Sequence, residues 1–441
     1  MNKEKWIQCA LEKGMEGFEI YQSFQTEKEF SWYEGDLDSF VTSKFLGTSI
    51  RGLYNGKMAN MALESVKDEE MDSIIEQLIL QAKIITMKED DALRFPEPIE
   101  YIDRVTNIVY PSIEEIKEFL SVLEKEILAY DQRVSQVSSL SYSYQKDKRS
   151  IYNSLGINVE EADQGQFLVA AVVVQEGEEV RDASHVLVID SLAQIDREEF
   201  VKTLCDKALG KLHASSLKTQ NCPVIFERGA MTSLFSAFTG LYKGDLIYKE
   251  LSPIKDKLDQ QIYSEKITVI DNPRNKDSLN QLSFDDEGCP TREKKVVENG
   301  IFKTPLMDTK SALCLKREST GNGFKPGYAG KVGVSAMNMY IAPGEASLED
   351  LWKHMNTGLM ITSLSGLHAG IDFASTNFSL QAQGYWIENG KKDHYVTLIT
   401  VAGNFLELMN KVVEIGNDLD WSYRSMACPS IYFEDCSIGG E

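Results

Sequence analysis

The chain has 441 residues, 42% of them hydrophobic, and its 46 Lys and Arg against 68 Asp and Glu give a formal net charge of −22. So acidic a surface repels phosphate backbones and anionic lipid, which argues against direct binding to nucleic acid or to a membrane. The length exceeds one ordinary hydrophobic core and predicts two domains.

The N-terminus and the cysteines bear on location. No apolar stretch of signal-peptide length opens the chain, and no window approaches the roughly 18 apolar residues of a membrane-spanning helix. The seven cysteines are widely spaced and never form Cys-x-x-Cys, a pattern typical of buried thiols in a reducing compartment. We therefore expect a cytoplasmic protein without disulfide bonds.

The first predicted elements are a helix and an antiparallel meander. Apolar residues at helical spacing predict a helix over residues 3–13, with Gly14 at its end. Residues 18–62 are rich in aromatic and β-branched side chains, and turn signals stand at Gly35 and at Asn55-Gly56. This composition predicts about four antiparallel strands.

Two further helices are predicted on either side of a proline-containing connector. An apolar stripe over residues 67–88 predicts the first, and residues 90–111 form the connector. The second begins at Ser112, whose hydroxyl can accept a hydrogen bond from a free backbone amide while Glu115 reaches back to the start of the helix.

Strand patterns return after this helix. The alternation over residues 140–144 and the apolar run 167–174 predict more sheet. A third long helix is predicted from Asp196 to about His213, with Asp196 and Glu199 as its capping pair. Strands and helices therefore follow one another in blocks.

A short polar segment, residues 215–221, is the predicted domain boundary and gives domains 1–215 and 216–441. Two Asn-Gly hairpin turns and one capped helix are predicted in the second domain, at 299–300, 389–390 and 347–355. Because strands and helices do not alternate strictly, we predict an α+β protein of two domains, with mainly antiparallel sheets, flanking helices and a β-rich second domain. No glycine-rich nucleotide-binding loop is present in the sequence.

Histidines are few, which limits metal chemistry. None of the five stands four residues from another, and no His-Glu-x-x-His helix occurs. His368 lies in a glycine-flanked loop and is a candidate for contact with a ligand; the alternative is a loop histidine bonded to the backbone. A zinc site assembled from distant residues, such as His368 with Cys428 or Cys436, stays open.

Three consecutive acids, Asp285, Asp286 and Glu287, form a second candidate, called here the acidic triplet. Clustered carboxylates can bind a metal ion or the amine end of a peptide, because together they lower the cost of holding a nearby cation. The alternative is a charged turn paired with Arg292 and Lys294.

The glycine-rich segment 318–323 is a third candidate. It contains Thr320 and Asn322 and is polar enough to form a turn that presents backbone amides to a peptide carboxylate or main chain. The alternative is a simple connection between two elements.

Several short blocks stand in a fixed order along the second half. They include Phe-Asp-Asp-Glu-Gly-Cys-Pro-Thr-Arg at 284–292 and Glu-Ser-Thr-Gly-Asn-Gly at 318–323, with others at 297–303, 341–351, 358–364, 378–390 and 401–405. Together they resemble the TldD/PmbA family. Looser agreement at 54–57 and 152–156 extends the resemblance over the entire chain.

The resemblance implies a role in proteolysis of small or unfolded peptides, in a family often called modulators of DNA gyrase. It also implies a metalloprotease of two chains, in which one subunit carries a His-Glu-x-x-x-His helix and a later Cys as zinc ligands and the other lacks them. Here the corresponding helix, residues 228–238, contains no histidine, and residues 417–430 replace the Cys-Gly-Lys stretch. The match is therefore to the PmbA (TldE) branch.

From this branch we expect a non-zinc subunit that shapes the proteolytic chamber and is inactive alone, with zinc only in a TldD-like partner. No catalytic residue and no metal ligand is assigned to this chain. The expected partners are a TldD-like zinc subunit or a second copy, and a peptide substrate. Candidate contact residues for substrate or partner are Asp285, Asp286, Glu287, Arg292, Thr320, Asn322 and His368.

Two alternatives remain beside this expectation. One is a homo-oligomeric peptide-binding or regulatory protein without hydrolytic activity. The other is a hydrolase whose site is rebuilt around His368 and the acidic triplet.

Overall fold

The computed structural model describes residues 1–64, 66–86, 91–103, 108–421 and 424–441. Its helices are α1 (Lys3–Glu12), α2 (Met71–Ile84), α3 (Ile113–Ala129), α4 (Arg197–Leu209), α5 (Arg228–Ala237), α6 (Gly244–Tyr248), α7 (Thr309–Leu315), α8 (Leu348–Met355) and α9 (Phe405–Leu408). Short 3-10 turns occur at Asp68–Glu70, Leu192–Gln194 and Thr239–Tyr242.

The strands of the first half are β1 (Gly17–Tyr33), β2 (Asp36–Tyr54), β3 (Lys57–Leu63), β4 (Val134–Asn153), β5 (Asn158–Glu176) and β6 (Glu179–Ile189). Those of the second half are β7 (Gln220–Phe226), β8 (Val269–Asp271), β9 (Lys294–Glu298), β10 (Ile301–Phe302), β11 (Gly323–Phe324), β12 (Gly333–Val334), β13 (Met339–Ile341), β14 (Gly358–Ser365), β15 (Ile371–Asp372), β16 (Asn377–Glu388), β17 (Lys391–Asn404), β18 (Val412–Ile415), β19 (Met426–Ala427) and β20 (Ile431–Gly439).

The first half is a six-stranded antiparallel sheet in the order β3-β2-β1-β4-β5-β6, which forms an open half-barrel. Helices α1 and α2 pack against Phe18 at one end of β1, and α3 and α4 pack around Phe30 at the other. Because side chains alternate along a strand, these two even-numbered residues point to the same face. The helices thus cover one face, and odd-numbered residues such as Glu19 occupy the opposite, inner face.

The second half contains a small closed barrel. Its strands follow the order β14-β7-β20-β17-β16, and β14 also pairs with β16, which closes the ring. The pair β14–β7 is parallel, whereas the other pairs of the ring are antiparallel. Buried residues such as Val224, Phe226, Leu359 and Ile361 belong to the largest hydrophobic cluster of the described chain. A separate five-stranded sheet has the order β10-β9-β8-β13-β19.

The α+β prediction is confirmed, with mainly antiparallel sheets and a β-rich second half. The boundary between domains 1–215 and 216–441 stays a prediction. No helix in the described part of the chain is long and apolar enough to cross a membrane.

The predicted helix caps and hairpin turns, which depend on residues close together in the sequence, are confirmed. The Ser112 hydroxyl accepts from the amide of Glu115, whose carboxylate accepts from the amide of Ser112, so the capping box is present. In the hairpin turns Asn299 and Asn389 have φ of 47° and 52°, as the two-residue turn requires. The caps at Asp196 and Ser347 are also observed.

Three boundaries differ from the predictions. Residues 18–62 form three strands rather than about four, because β1 and β2 are long and uninterrupted. The helix predicted over 67–88 is a 3-10 turn followed by α2, which ends at Ile84; residues 87 and 88 lie outside the described ranges. The helix predicted to reach His213 ends at Leu209, and His213 has φ of 59°, which is incompatible with a helix.

Candidate functional site

The acidic triplet is buried rather than exposed as a charged turn. Asp285, Asp286 and Glu287 have relative exposures of 0%, 6% and 1%. The Asp285 carboxylate accepts hydrogen bonds at 2.9 Å from three backbone amides, those of Glu287, Cys289 and Gly323. Burial raises the pKa of Asp285, and these amides oppose the rise. Asp285 therefore holds its own turn together and fastens it to β11.

The other two acids connect this turn to the half-barrel. Asp286 accepts from Nη1 of Arg149 on β4 at 2.9 Å, and from the amide of Lys325 at 2.8 Å. Glu287 accepts from Nη1 of Arg51 on β2 at 3.3 Å. Arg51 and Arg149 occupy odd-numbered positions on the inner face of the half-barrel, so the triplet lies at the contact between the two halves of the chain.

The pairing predicted between the triplet and Arg292 and Lys294 is wrong. Arg292 is exposed and donates Nη2 to the carbonyl of Ser319 at 3.1 Å, while Lys294 pairs with Asp271 at 2.8 Å. The true partners are arginines on distant strands, brought in when the half-barrel packs against the turn.

Electrostatics at this contact depend on burial. Burial raises the pKa of Glu287, the Arg51 guanidinium opposes the rise, and the negative charge of Asp285 adds to it. Burial also lowers the pKa of Lys325 to about 8. The Lys325 ammonium donates to the hydroxyl of Ser49 and lies 4.4 Å from the centre of the Tyr21 ring. The contact is therefore a layer of paired charges between two folded parts.

Thr320 and Asn322 lie beneath the same turn. Their relative exposures are 3% and 0%. Thr320 Oγ1 accepts from the amide of Met307 at 2.6 Å and donates to Asn322 Oδ1 at 2.8 Å. Asn322 Nδ2 donates to Asp271 at 3.0 Å. Both side chains are therefore occupied inside the protein.

His368 is separated from these residues. It is exposed in the turn between β14 and β15, and its ring makes no hydrogen bond or ion pair with another residue in the described part of the chain. Cys428 and Cys436, the suggested co-ligands, are 1% and 5% exposed. The structure thus brings the triplet, Thr320 and Asn322 into one buried region and leaves His368 and Arg292 at the surface.

Helix α5 is the segment where the resemblance would place zinc ligands. Its polar side chains instead bond to its own backbone four residues earlier. Thr232, Ser233 and Ser236 donate to the carbonyls of Arg228, Gly229 and Thr232 at 2.7, 2.9 and 2.6 Å. Neutral hydroxyls of this kind are weak metal ligands compared with imidazole, thiolate or carboxylate.

The start of α5 carries a cluster of charges. Arg228 contacts Glu227 at 3.4 Å and Asp420 at 3.5 Å, and its amide donates to Ser430 Oγ at 3.0 Å. Burial raises the pKa of Glu227, whose carboxylate caps the helix by accepting from Gly229.

A cleft of about 440 Å³ between β6 and α4 includes His185 and Phe200 in its lining. Burial lowers the pKa of His185, and the positive charges of Lys207 and Arg228 act in the same direction. Sequence reasoning did not single out His185, because it stands in an alternating strand without a neighbouring ligand or base. The positive charges that act on it come from α4 and α5, and the negative charge of Asp420 opposes their effect on the pKa.

The donor set does not fit zinc. A zinc site needs three or four His, Cys, Asp or Glu side chains directed at one point. No group of three or more such side chains that could hold a metal ion occurs in ranges 1–64, 66–86, 91–103, 108–421 and 424–441. Cys428, the thiol beside α5, is buried, which raises its pKa and disfavours the thiolate.

Two family models match the chain. The PmbA/TldA metallopeptidase C-terminal domain matches residues 219–440, and the PmbA/TldA metallopeptidase central domain matches residues 107–212. Metalloprotease PmbA of Escherichia coli O157:H7 is 28% identical over 332 residues, covering 75% of this chain and 71% of that protein. A metalloprotease of Methanocaldococcus jannaschii is 25% identical over 436 residues, covering 96% and 94%.

Solved structures extend the similarity to the whole fold. TldE from Thermococcus kodakarensis superposes with a TM-score of 0.89 at 25% identity, covering 99% of each chain. A crystal structure from Thermotoga maritima, whose name proposes a modulator of a DNA gyrase, superposes with a TM-score of 0.88 at 28% identity and the same coverage. The names PmbA and TldE agree with the branch predicted from the sequence. The chain therefore belongs to the PmbA/TldD metallopeptidase family.

Proposed function

We propose that this chain is the non-zinc subunit of a two-chain metallopeptidase that acts on small or unfolded peptides. It would line the chamber and pair with a homologue that carries the zinc ligands. The observation that carries the proposal is the chemistry of α5, which contains no histidine and whose Thr232, Ser233 and Ser236 hydroxyls bond to the helix backbone.

The inner face of the half-barrel supports a role in holding peptides. Most of its cross-strand pairs between β1 and β4 are polar, among them Ser31–Ser141, Glu29–Ser143 and Glu27–Gln145. Hydroxyl and amide groups both donate and accept hydrogen bonds, so such a wall can contact peptide main chain of any sequence. A surface of this kind suits a subunit that receives unfolded peptides without reading one motif.

The requirements of zinc catalysis decide which of the two chains would perform the hydrolysis. Hydrolysis by zinc needs protein ligands, an open coordination position and a carboxylate that accepts a proton from the bound water. Of the acids at the start of α5, Glu227 already caps the helix through Gly229, and Asp420 pairs with Arg228. Chemistry on a peptide held by this chain would therefore be supplied by the partner.

The test is purification of the tagged chain from its native cell, with metal analysis and a peptidase assay on an unfolded peptide. We expect co-purification of a homologue that carries His-Glu-x-x-x-His, zinc at about one equivalent per partner chain, and cleavage by the complex alone. About one zinc per chain in the isolated protein, removed by chelation together with cleavage, would overturn the proposal.

Two other outcomes decide the alternatives. A homodimer that binds the peptide and never cleaves it would favour a peptide-binding or regulatory protein instead. Cleavage by the isolated chain that is lost in a His368→Ala variant would favour the rebuilt hydrolase.

A further inference from the structure

Two cysteines stand directly opposite each other in the small barrel. Cys222 on β7 and Cys436 on β20 are partners in the antiparallel register of these strands. The Cα atoms of directly opposed residues are about 4.5 or 5.5 Å apart, depending on the hydrogen-bonding pattern, and disulfides span Cα separations of about 4.4–6.8 Å. The backbone therefore already has the spacing that a bond between the two sulfur atoms requires.

The two thiols also share one face of the sheet, because directly opposed residues point to the same side. Cys222 and Cys436 are 6% and 5% exposed and belong to the same hydrophobic cluster. The adjoining pair, Asn221 and Ser437, is exposed, and the Ser437 hydroxyl donates to Asn221 Oδ1 at 2.8 Å. This hydrogen bond holds the two strands together beside the thiols.

We propose that Cys222 and Cys436 form a redox-sensitive pair, whose oxidation to a disulfide by a peroxide locks the barrel closed between its first and last strands. One thiolate sulfur attacks a peroxide oxygen and becomes a sulfenic acid, and the other oxygen leaves as water or an alcohol. The second thiol then attacks that sulfur, forms the S–S bond and releases water. In total, two electrons and two protons pass from the thiols to the peroxide. The proposal does not depend on the proposed peptidase role.

Burial makes the pair slow to react. It raises the pKa of Cys222 to about 11, against a backbone hydrogen bond at Leu359. It raises the pKa of Cys436 to about 12, where Asp435 and Cys222 act in the same direction and Lys411 opposes them. Because the thiolate is the form that attacks a peroxide, few molecules are reactive at neutral pH at any moment. The pair therefore responds to sustained oxidation rather than to a brief exposure.

The bond would connect the two strands that lead to the charge cluster at the start of α5. Strand β7 runs directly into Glu227 and Arg228, and β20 directly follows Ser430. Ser430 Oγ accepts a hydrogen bond from the amide of Arg228 at 3.0 Å. A covalent link between β7 and β20 limits how far these two segments can separate. Oxidation would therefore stabilise the closed barrel without altering any residue of that cluster.

The experiment is incubation of the full chain with hydrogen peroxide, followed by blocking of free thiols under denaturing conditions, digestion and mass spectrometry. We expect one linked pair of peptides, which joins Cys222 to Cys436; the other five cysteines lie outside the strands. The melting temperature of the oxidised chain should fall by about 2–4 °C when dithiothreitol reduces the disulfide, because the bond restricts the unfolded chain. Reduction with dithiothreitol does not reverse methionine oxidation, so the shift reports the disulfide alone.

Matched variants assign the effect to this pair. Cys222→Ala and Cys436→Ala should each remove both the linked peptides and the shift on reduction. Cys205→Ala, at a buried cysteine in another hydrophobic cluster, is the control and should keep both. Each variant is compared with itself before and after reduction, so a loss of stability caused by the substitution cancels. The proposal is overturned if the linked peptides are absent after oxidation, if they form without a shift in melting temperature, or if Cys222 joins other cysteines as often as Cys436.

Discussion

The ion pair between Asp286 and Arg149 is a direct test of how the half-barrel is fastened to the second half. In an Asp286→Asn variant the side chain keeps its shape and one acceptor for the amide of Lys325. It loses its charge, and in one orientation it turns an amide donor toward the Arg149 donor. The side chain of Arg149 is 14% exposed and that of Asp286 7%, so solvent cannot replace the missing carboxylate.

The expected loss follows from this burial. Removing one partner of a buried ion pair costs about 3–5 kcal/mol. Arg149 keeps Glu161, at 3.1 Å, and the carbonyl of Phe284, so the lower end, about 3 kcal/mol, is expected. At about 2.1 cal/mol/K per residue, the unfolding entropy of the whole chain is about 0.9 kcal/mol/K, and the melting temperature should fall by about 3 °C.

The assay is thermal unfolding followed by circular dichroism, with urea unfolding as a second measure. The matched control is Glu160→Gln, since Lys148, next to Arg149 on β4, pairs with Glu160 on β5. Their side chains are 50% and 66% exposed, so that pair should contribute at most about 1 kcal/mol. If Asp286→Asn lowers the melting temperature no more than Glu160→Gln, the contact is not stabilised by this charge pair and the reasoning fails.

Three further predictions concern single positions. Burial raises the folded-state pKa of Glu287, so the folded state is favoured at low pH and loses stability as the pH rises through that raised pKa. Between about pH 5 and pH 9 the free energy of unfolding of Glu287→Gln should therefore fall less than that of the wild type. Parallel curves of stability against pH for the two proteins would contradict this prediction. Ser112→Ala should cost about 1 kcal/mol in urea unfolding through loss of the α3 cap, and an unchanged midpoint would mean that the cap is dispensable. Gly47→Ala should cost about 1–3 kcal/mol, because a Cβ there would stand 2.2 Å from the Tyr328 ring, and a second change, Tyr328→Ala, should recover part of the loss, whereas simple additivity would argue against the clash.

Sequence reasoning succeeded where the determining residues are close together along the chain. The capping box of Ser112 and Glu115 joins residues three apart, and the Asn299-Gly300 turn is set by the two residues themselves. Such features depend little on the rest of the fold, so they could be read without it.

The surroundings of the acidic triplet could not be read in this way. Glu287 and Arg51 are 236 positions apart, and Asp286 and Arg149 are 137 apart. Arg292 and Lys294 are the cations nearest to the triplet in the sequence, and they were therefore predicted as its partners. The prediction failed because the actual partners are distant along the chain. The burial of three consecutive acids depends on a tertiary contact that no local pattern encodes.

The lengths of the strands could not be predicted from the sequence either. The strands β1 and β2 run for 17 and 19 residues, far longer than the usual five or six. In β1 the polar residues Gln22, Thr26 and Lys28 lie on the helix-covered face and interrupt the alternation that marks a strand. For α5 the sequence did establish the absence of histidines, but the internal bonding of its hydroxyls required the structure.

The closure of the small barrel has a consequence for synthesis on the ribosome. Strand β20 lies between β7 and β17 in the ring, although β7 is made long before it. The half-barrel is complete once β6 has emerged, because the last of its six strands ends at Ile189. The barrel instead keeps two open edges until β20 leaves the ribosome, so β7 is exposed to misassembly while residues 227–430 are made. Nascent chains that stall before β20 should therefore be the species that chaperones bind most strongly.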